Sequence, residues 1–343
     1  MTITVETVHG PVRGVEEGGL AVFRGIPFAK PPIGALRFRP PQRLDGWSGE
    51  RPADTFGFVA PQPDQAGMMM PGPTPDQNED CLTLNVWTPG CDPGAKRPVM
   101  VWIHGGAFVT GSGSGIFYHG DRLAARGDVV VVTINYRLGA LGWLSHPDLR
   151  DPGTGATGNW GLLDQIAALE WVRANAERFG GDPANVTIFG ESAGSMSVST
   201  LLGTPSARGL FRRAVAQSGG PLAMGAERAA EVAEMLAREA GLAGVAALRT
   251  APVETLVAAL TALQLRGVGK GLPVGPVLDG VTLAQPPLAA VAGGNARGVD
   301  LLVGTNRDEM KFFAVADQSL LGGEEEFIRE RLVSTIGHEA HAA

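Results

Sequence analysis

Val186-Thr187-Ile188-Phe189-Gly190-Glu191-Ser192-Ala193-Gly194 is the stretch on which the fold turns. Its first four residues are β-branched or aromatic and read as a short strand. After Gly194 the apolar residues continue at helical spacing through Leu202. Between strand and helix lies a G-x-S-x-G, a sharp bend in which flanking glycines avoid Cβ clashes. Such a bend pushes the Ser192 hydroxyl out at the carboxyl edge of a sheet. It also leaves the Ala193 N–H at a helix N-terminus, where the dipole favours developing negative charge.

Working outward, Leu162, Leu163, Ile166, Leu169 and Val172 predict an amphipathic helix ending near Phe179-Gly180-Gly181. The run 129–134 is apolar almost throughout, as a parallel strand buried on both faces requires. Runs 82–87 and 98–103 are further strands, as are 214–216 and 301–303 on the other side. Residues 226–265 are Ala/Leu-rich and helical. Strands alternating with helices predict an α/β architecture, a doubly wound, mostly parallel central sheet with helices on both faces. Residues 1–50 carry short alternating runs broken by Gly and Pro, which predict small antiparallel strands. Residues 56–78, rich in Pro, Gln, Met and Gly, predict a long surface loop. Its Met68, Met69 and Met70 are either flexible apolar lining for a pocket or ordinary packing. Nothing in the composition divides the chain, so 1–343 is expected to be a single domain.

The composition narrows the partners. Lys and Arg total 28 and Asp and Glu 35, a net charge of −7, with no basic cluster. Nucleic acid and anionic membranes are therefore not expected partners. No apolar run approaches the roughly 20 residues that span a bilayer, and the amino terminus lacks the basic and apolar regions of a secretion signal. A cytoplasmic location is the expectation. Cys81 and Cys91 are the only cysteines, too few for a metal site or a disulfide framework, and read as buried free thiols, with a single Cys81–Cys91 bridge as the alternative.

A second chemical signal is His104-Gly105-Gly106-Ala107-Phe108, directly after the strand ending at Ile103. Small residues there let the backbone approach a substrate carbonyl and offer bare N–H groups to an oxyanion. One such donor is worth about 3 kcal/mol in a transition state. Gly106, Ala107 and Ala193 are the expected oxyanion-hole donors, with Gly105 shaping the turn. His104 is expected to be a structural hydrogen-bonder rather than a base, since it stands in a loop whose task is to present amides.

Residues 179–194 as a whole resemble the serine signature of the type-B carboxylesterases, the family that includes cholinesterases. Glu79-Asp80-Cys81-Leu82-Thr83-Leu84-Asn85-Val86-Trp87 resembles the second signature of that family. The similarity extends through residues 23–29, Asn135-Tyr136-Arg137-Leu138-Gly139, residues 159–165 and Gln217-Ser218-Gly219, and so covers nearly the whole chain. In the family the position of Cys81 pairs with an upstream cysteine, and none exists here.

The resemblance implies an α/β-hydrolase fold and hydrolysis of short-to-medium acyl esters, with carbamates as a second substrate class. It implies a serine nucleophile oriented through histidine by a glutamate. Gly304-Thr305-Asn306-Arg307-Asp308-Glu309 matches the setting of that glutamate and assigns it to Glu309, with Asp308 its nearest competitor. No metal or organic cofactor is needed. The family's histidine lies far beyond the 34 residues that follow Glu309. The surroundings of His338 and His341 do not match its loop, and His338-x-x-His341 lacks a third ligand for a metal. Both are expected to be exposed tail residues. The expectation is therefore an esterase whose C-terminal part is missing, inactive alone for want of its base, and completed by a C-terminal fragment. The competing reading is a non-catalytic binding module, or an inert fragment, of the same fold.

Overall fold

The computed structural model describes residues 1–64, 76–267, 272–309 and 311. It divides into two units, Met1–Val303 and Gly304–Ala343. The first is built on one sheet. Its strands are β1 (Thr2–Thr7), β2 (Gly10–Glu17), β3 (Leu20–Pro27), β4 (Arg51–Pro52), β5 (Thr83–Thr88), β6 (Arg97–Ile103), β7 (Val130–Ile134), β8 (Gly181–Glu191), β9 (Arg213–Gln217) and β10 (Asp300–Gly304). They are ordered β1-β2-β3-β5-β7-β6-β8-β9-β10, with β4 beside β2. Pairing is antiparallel from β1 through β7, then parallel where β6 meets β7 and β8, and β8 meets β9.

The period of two along a strand sorts its side chains to two faces. Val130, Val132 and Ile134 of β7 enter the main core. Val129 and Val131 join Leu20, Val22, Trp87 and Ala124 in a smaller core on the opposite face. Burying each such valine is worth about 1.5–3 kcal/mol. Helix α1 (Asp121–Gly127) contributes Ala124 to the smaller core. The main core is packed by helices α2 (Gly139–Trp143), α3 (Trp160–Asn175), α4 (Ala193–Leu202), α5 (Ala226–Glu239), α6 (Val253–Leu265) and α7 (Pro287–Ala292). A doubly wound sheet with an antiparallel amino-terminal flank is thus observed.

Two expectations shift in detail. The strand leading to Ser192 runs from Gly181 rather than from Val186. The predicted surface loop dips inward over part of its length: residues 59–62 are buried and Val59 bridges to Gln77, while Phe58, Asp64, Asp76 and Asn78 are exposed. Apolar Val59 and Ala60 pack inward there, and the chain turns with them. Met68, Met69 and Met70 lie outside the described residues, as do His338 and His341. Both cysteines are free thiols, Cys81 buried as expected and Cys91 only partly so. Burial pushes Cys81 far above the ordinary range and Cys91 up to about 11, so neither is a ready nucleophile. No helix among the described residues is long and apolar enough to cross a membrane.

The second unit carries Glu309 in a turn. The Asn306 N–H donates to Glu309 Oε2 at 2.6 Å, while Asp308 pairs with Lys311 at 3.0 Å.

Candidate active site

Ser192 stands between β8 and α4 with φ 55° and ψ −122°, a conformation that L residues rarely adopt. Two contacts hold the bend. The Ser192 N–H donates to the Gln217 carbonyl at 2.9 Å, and Met196 N–H closes the first turn of α4 on the Ser192 carbonyl at 2.9 Å. The bend is possible because Gly190 and Gly194, two positions to either side of Ser192, have no side chain. A Cβ on Gly194 would sit 2.0 Å from the Ile103 carbonyl oxygen, so only glycine lets α4 press against the end of β6. The segment 217–219 buttresses the same turn from beyond β9. Ser195 and Ser199 donate their hydroxyls to the Gly219 carbonyl at 2.6 and 3.2 Å.

The loop after β6 comes to the serine. A Cβ on Gly105 would lie 3.3 Å from Ser192 Cβ and 2.7 Å from the Glu191 carbonyl oxygen, which places the two backbones in contact. Gly106, Ala107 and Phe108 all have positive φ, at 110°, 55° and 63°. Two successive non-glycine residues in the left-handed region cost on the order of 1–3 kcal/mol each, and the surroundings over-determine them. Val109 N–H, Thr110 N–H and the Thr110 hydroxyl all donate to the Gly106 carbonyl. Gly139 N–H donates to the Phe108 carbonyl at 2.7 Å, and the Phe108 ring packs on Trp143. With that carbonyl held, the amides of Gly106, Ala107 and Ala193 donate to no acceptor among the described residues.

His104 anchors the loop, as its position predicts. It is 1% exposed, and its ring stacks on Tyr136 with centroids 4.4 Å apart. Nδ1 lies 2.9 Å from the Gly105 carbonyl, so Nδ1 carries the proton and donates. Burial pushes the imidazole down to about 4, and it is neutral at physiological pH. The Tyr136 hydroxyl donates to the His104 carbonyl at 2.7 Å.

One residue of this assembly escapes sequence reading. Gln62 grips the far end of the loop with both ends of its amide: Nε2 donates to the Gly111 carbonyl at 3.0 Å, and Gly111 N–H donates to Oε1 at 2.8 Å. Its own N–H donates to Gln77 Oε1 at 2.8 Å, so the base of the 63–76 segment is fastened to the loop beside Ser192. Only its place in a Pro- and Gln-rich stretch hints at it, and that composition signals a loop of any purpose. The crevice flanked by Gln62, Val109, Leu138 and Leu260 encloses about 10 Å³, too little for an acyl chain.

Among the described residues no imidazole hydrogen-bonds Ser192, and no group of three or more His, Cys, Asp or Glu side chains is arranged to hold a metal ion. His9 lies by Trp47, His119 between Phe56 and Trp87, and His146 near Asp148 and Glu234.

With this geometry in hand, comparison with known proteins is specific. The carboxylesterase family matches residues 1–341. A para-nitrobenzyl esterase of Bacillus subtilis is 44% identical over 322 residues, covering 92% of this chain and 65% of that protein. A human cocaine esterase is 40% identical over 91% of this chain and 56% of its own length. The chain thus spans about two thirds, or less, of these relatives. The solved structure of a Geobacillus stearothermophilus carboxylesterase superposes with a TM-score of 0.86 at 44% identity, covering 97% of this chain and 67% of that one. A thermophilic para-nitrobenzyl esterase gives 0.87 at 41% identity, covering 98% and 69%.

Proposed function

The chain belongs to the carboxylesterase family and has its α/β-hydrolase fold, and on that premise we propose that it hydrolyses small-molecule carboxylic esters through Ser192. The observation that carries the reading is the strained Ser192 backbone with Gly105 packed directly against it. Strain of this kind is retained where the surrounding structure has a use for it.

In this reading Ser192 Oγ attacks the ester carbonyl and passes its proton to an imidazole. The tetrahedral oxyanion rests on the N–H groups of Gly106, Ala107 and Ala193, whose uncommitted amides support the role. The alcohol leaves with the proton from the imidazole. Water then attacks the acyl-serine by the same route in reverse order, returning Ser192. Glu309 orients the imidazole, an assignment that rests on its sequence setting. The imidazole is assigned to polypeptide equivalent to the part of the relatives that this chain does not span, supplied as a complementing C-terminal segment. Short-to-medium acyl esters are the proposed substrates. The reaction needs no metal or organic cofactor, since the oxyanion is met by backbone dipoles.

The test is release of p-nitrophenol from p-nitrophenyl butyrate, by the chain with its complementing segment and by the Ser192→Ala variant of the same complex. Serine-dependent turnover, lower in the variant by on the order of 10⁶-fold in kcat, is the expected result. Turnover that survives the substitution removes Ser192 from the chemistry.

A further inference from the structure

Residues 201–212, which run from the end of α4 towards β9, face the turn 295–299 across a cleft of about 290 Å³. Its floor is apolar. Leu201, Leu202, Ala207 and Phe211 line it and are 1%, 5%, 0% and 8% exposed. Its rim is cationic, with the exposed residues Arg208, Arg212 and Arg297 on its edges.

These arginines differ in what they face from those that the chain holds in close ion pairs. Arg24, Arg37, Arg39, Arg97, Arg137 and Arg266 each meet a carboxylate within 3.0 Å. Among the described residues no carboxylate pairs with Arg208, Arg212 or Arg297. The acid closest along the chain, Asp300, pairs with Arg213 at 3.6 Å instead, and its N–H donates to the Arg212 carbonyl. One rim residue is also oriented. The Asn295 side chain donates to the Leu202 carbonyl at 2.8 Å and accepts from Arg208 Nη2 at 3.0 Å, which fixes that guanidinium at the cleft edge.

Three guanidinium groups without acidic partners over an apolar floor, in a chain of net charge −7, form a site of definite chemistry. A guanidinium presents a planar fork that matches a carboxylate, and the floor rewards an apolar tail. We propose that this cleft binds a small amphiphilic carboxylate, its head among Arg208, Arg212 and Arg297 and its short acyl tail over Leu202 and Phe211. The site does not depend on the hydrolytic reading of Ser192.

The experiment is titration calorimetry of the full chain at low salt with sodium octanoate, inorganic phosphate and octyltrimethylammonium. The same titrations are made on the double variant Arg212→Gln/Arg297→Gln. Both positions are exposed, and circular dichroism with thermal melting checks that the variant folds. Octanoate should bind saturably, about tenfold or more tighter than phosphate, and lose about tenfold or more in the double variant. The cationic amphiphile should not bind. Three results each overturn the proposal: no saturable octanoate binding, octanoate binding unchanged in the folded variant (as it would be if octanoate sat at Ser192), or phosphate binding as tightly as octanoate.

Discussion

At the scale of single residues, the chain spends conformational energy beside Ser192 and recovers it through buried polar contacts. Ser192, Ala107 and Phe108 all hold positive φ, and the carbonyls of Gly106, Phe108 and Ser192 and the Ser192 N–H are tied by hydrogen bonds. His104 is the clearest case, because its protonation is incompatible with the site it fills. The ordinary value of 6.5 falls to about 4 in the fold, so the unfolded chain takes the proton more readily than the native one. The contribution of His104 to stability is therefore intact above pH 6.5 and is lost as pH falls towards 4. Acidification from 6.5 to 5 should remove about 2 kcal/mol through this residue alone. Urea unfolding at the two pH values in the native chain and in His104→Gln measures it, and the variant should show the shallower acid dependence. Parallel curves for the two proteins would mean that the ring titrates normally.

At the scale of elements, the connection after β7 is fixed to α3 by a buried ion pair. Arg137 Nε and Nη2 meet Asp164 Oδ2 and Oδ1 at 2.8 and 2.6 Å, and the Arg137 N–H adds a third bond to Oδ2 at 3.0 Å. Both side chains are almost wholly buried, at 3% and 0%. Burying the pair is not itself proof of stabilisation, since desolvation offsets much of the attraction. Removing one partner strands the other charge, however, and Asp164→Ala should cost roughly 3–5 kcal/mol in denaturant unfolding. A loss below about 1 kcal/mol would show that water reaches the guanidinium. Arg137 and Asp164 both stand in stretches with recognisable patterns, yet their pairing across 27 positions is invisible until α3 packs. The Gln62 clamp on Gly111 is hidden for the same reason, with 49 positions between the partners.

At the scale of the whole molecule, the charge of −7 favours solubility, while one edge of the sheet works against it. Leu301, Leu302 and Val303 of β10, the outermost strand among the described residues, are 53%, 66% and 67% exposed. An exposed apolar edge is a template for pairing with another chain. Leu302→Lys should raise the concentration at which light scattering detects association, with the melting temperature nearly unchanged. Equal scattering from both proteins would show that the edge is not the point of contact.

Sequence pattern was enough to find β5 to β10, α3, α4 and the helical region that holds α5 and α6, because burial on one or two faces constrains which positions are apolar, but the short helices α1, α2 and α7 leave too few residues for a pattern. The G-x-S-x-G between a strand and a helix was enough to place the strained bend at Ser192, because a bend that tight excludes side chains at Gly190 and Gly194. The loop 104–107 could be named from its small residues, and the family could be recognised from its signatures. Tertiary structure alone decided what holds these parts. That Gly105 touches Ser192, that His104 is neutral and stacked on Tyr136, and that Gln62 fastens the loop are all contacts between residues far apart in sequence. A hydrogen bond across a fold imposes no spacing on the chain that makes it, so no local pattern records it.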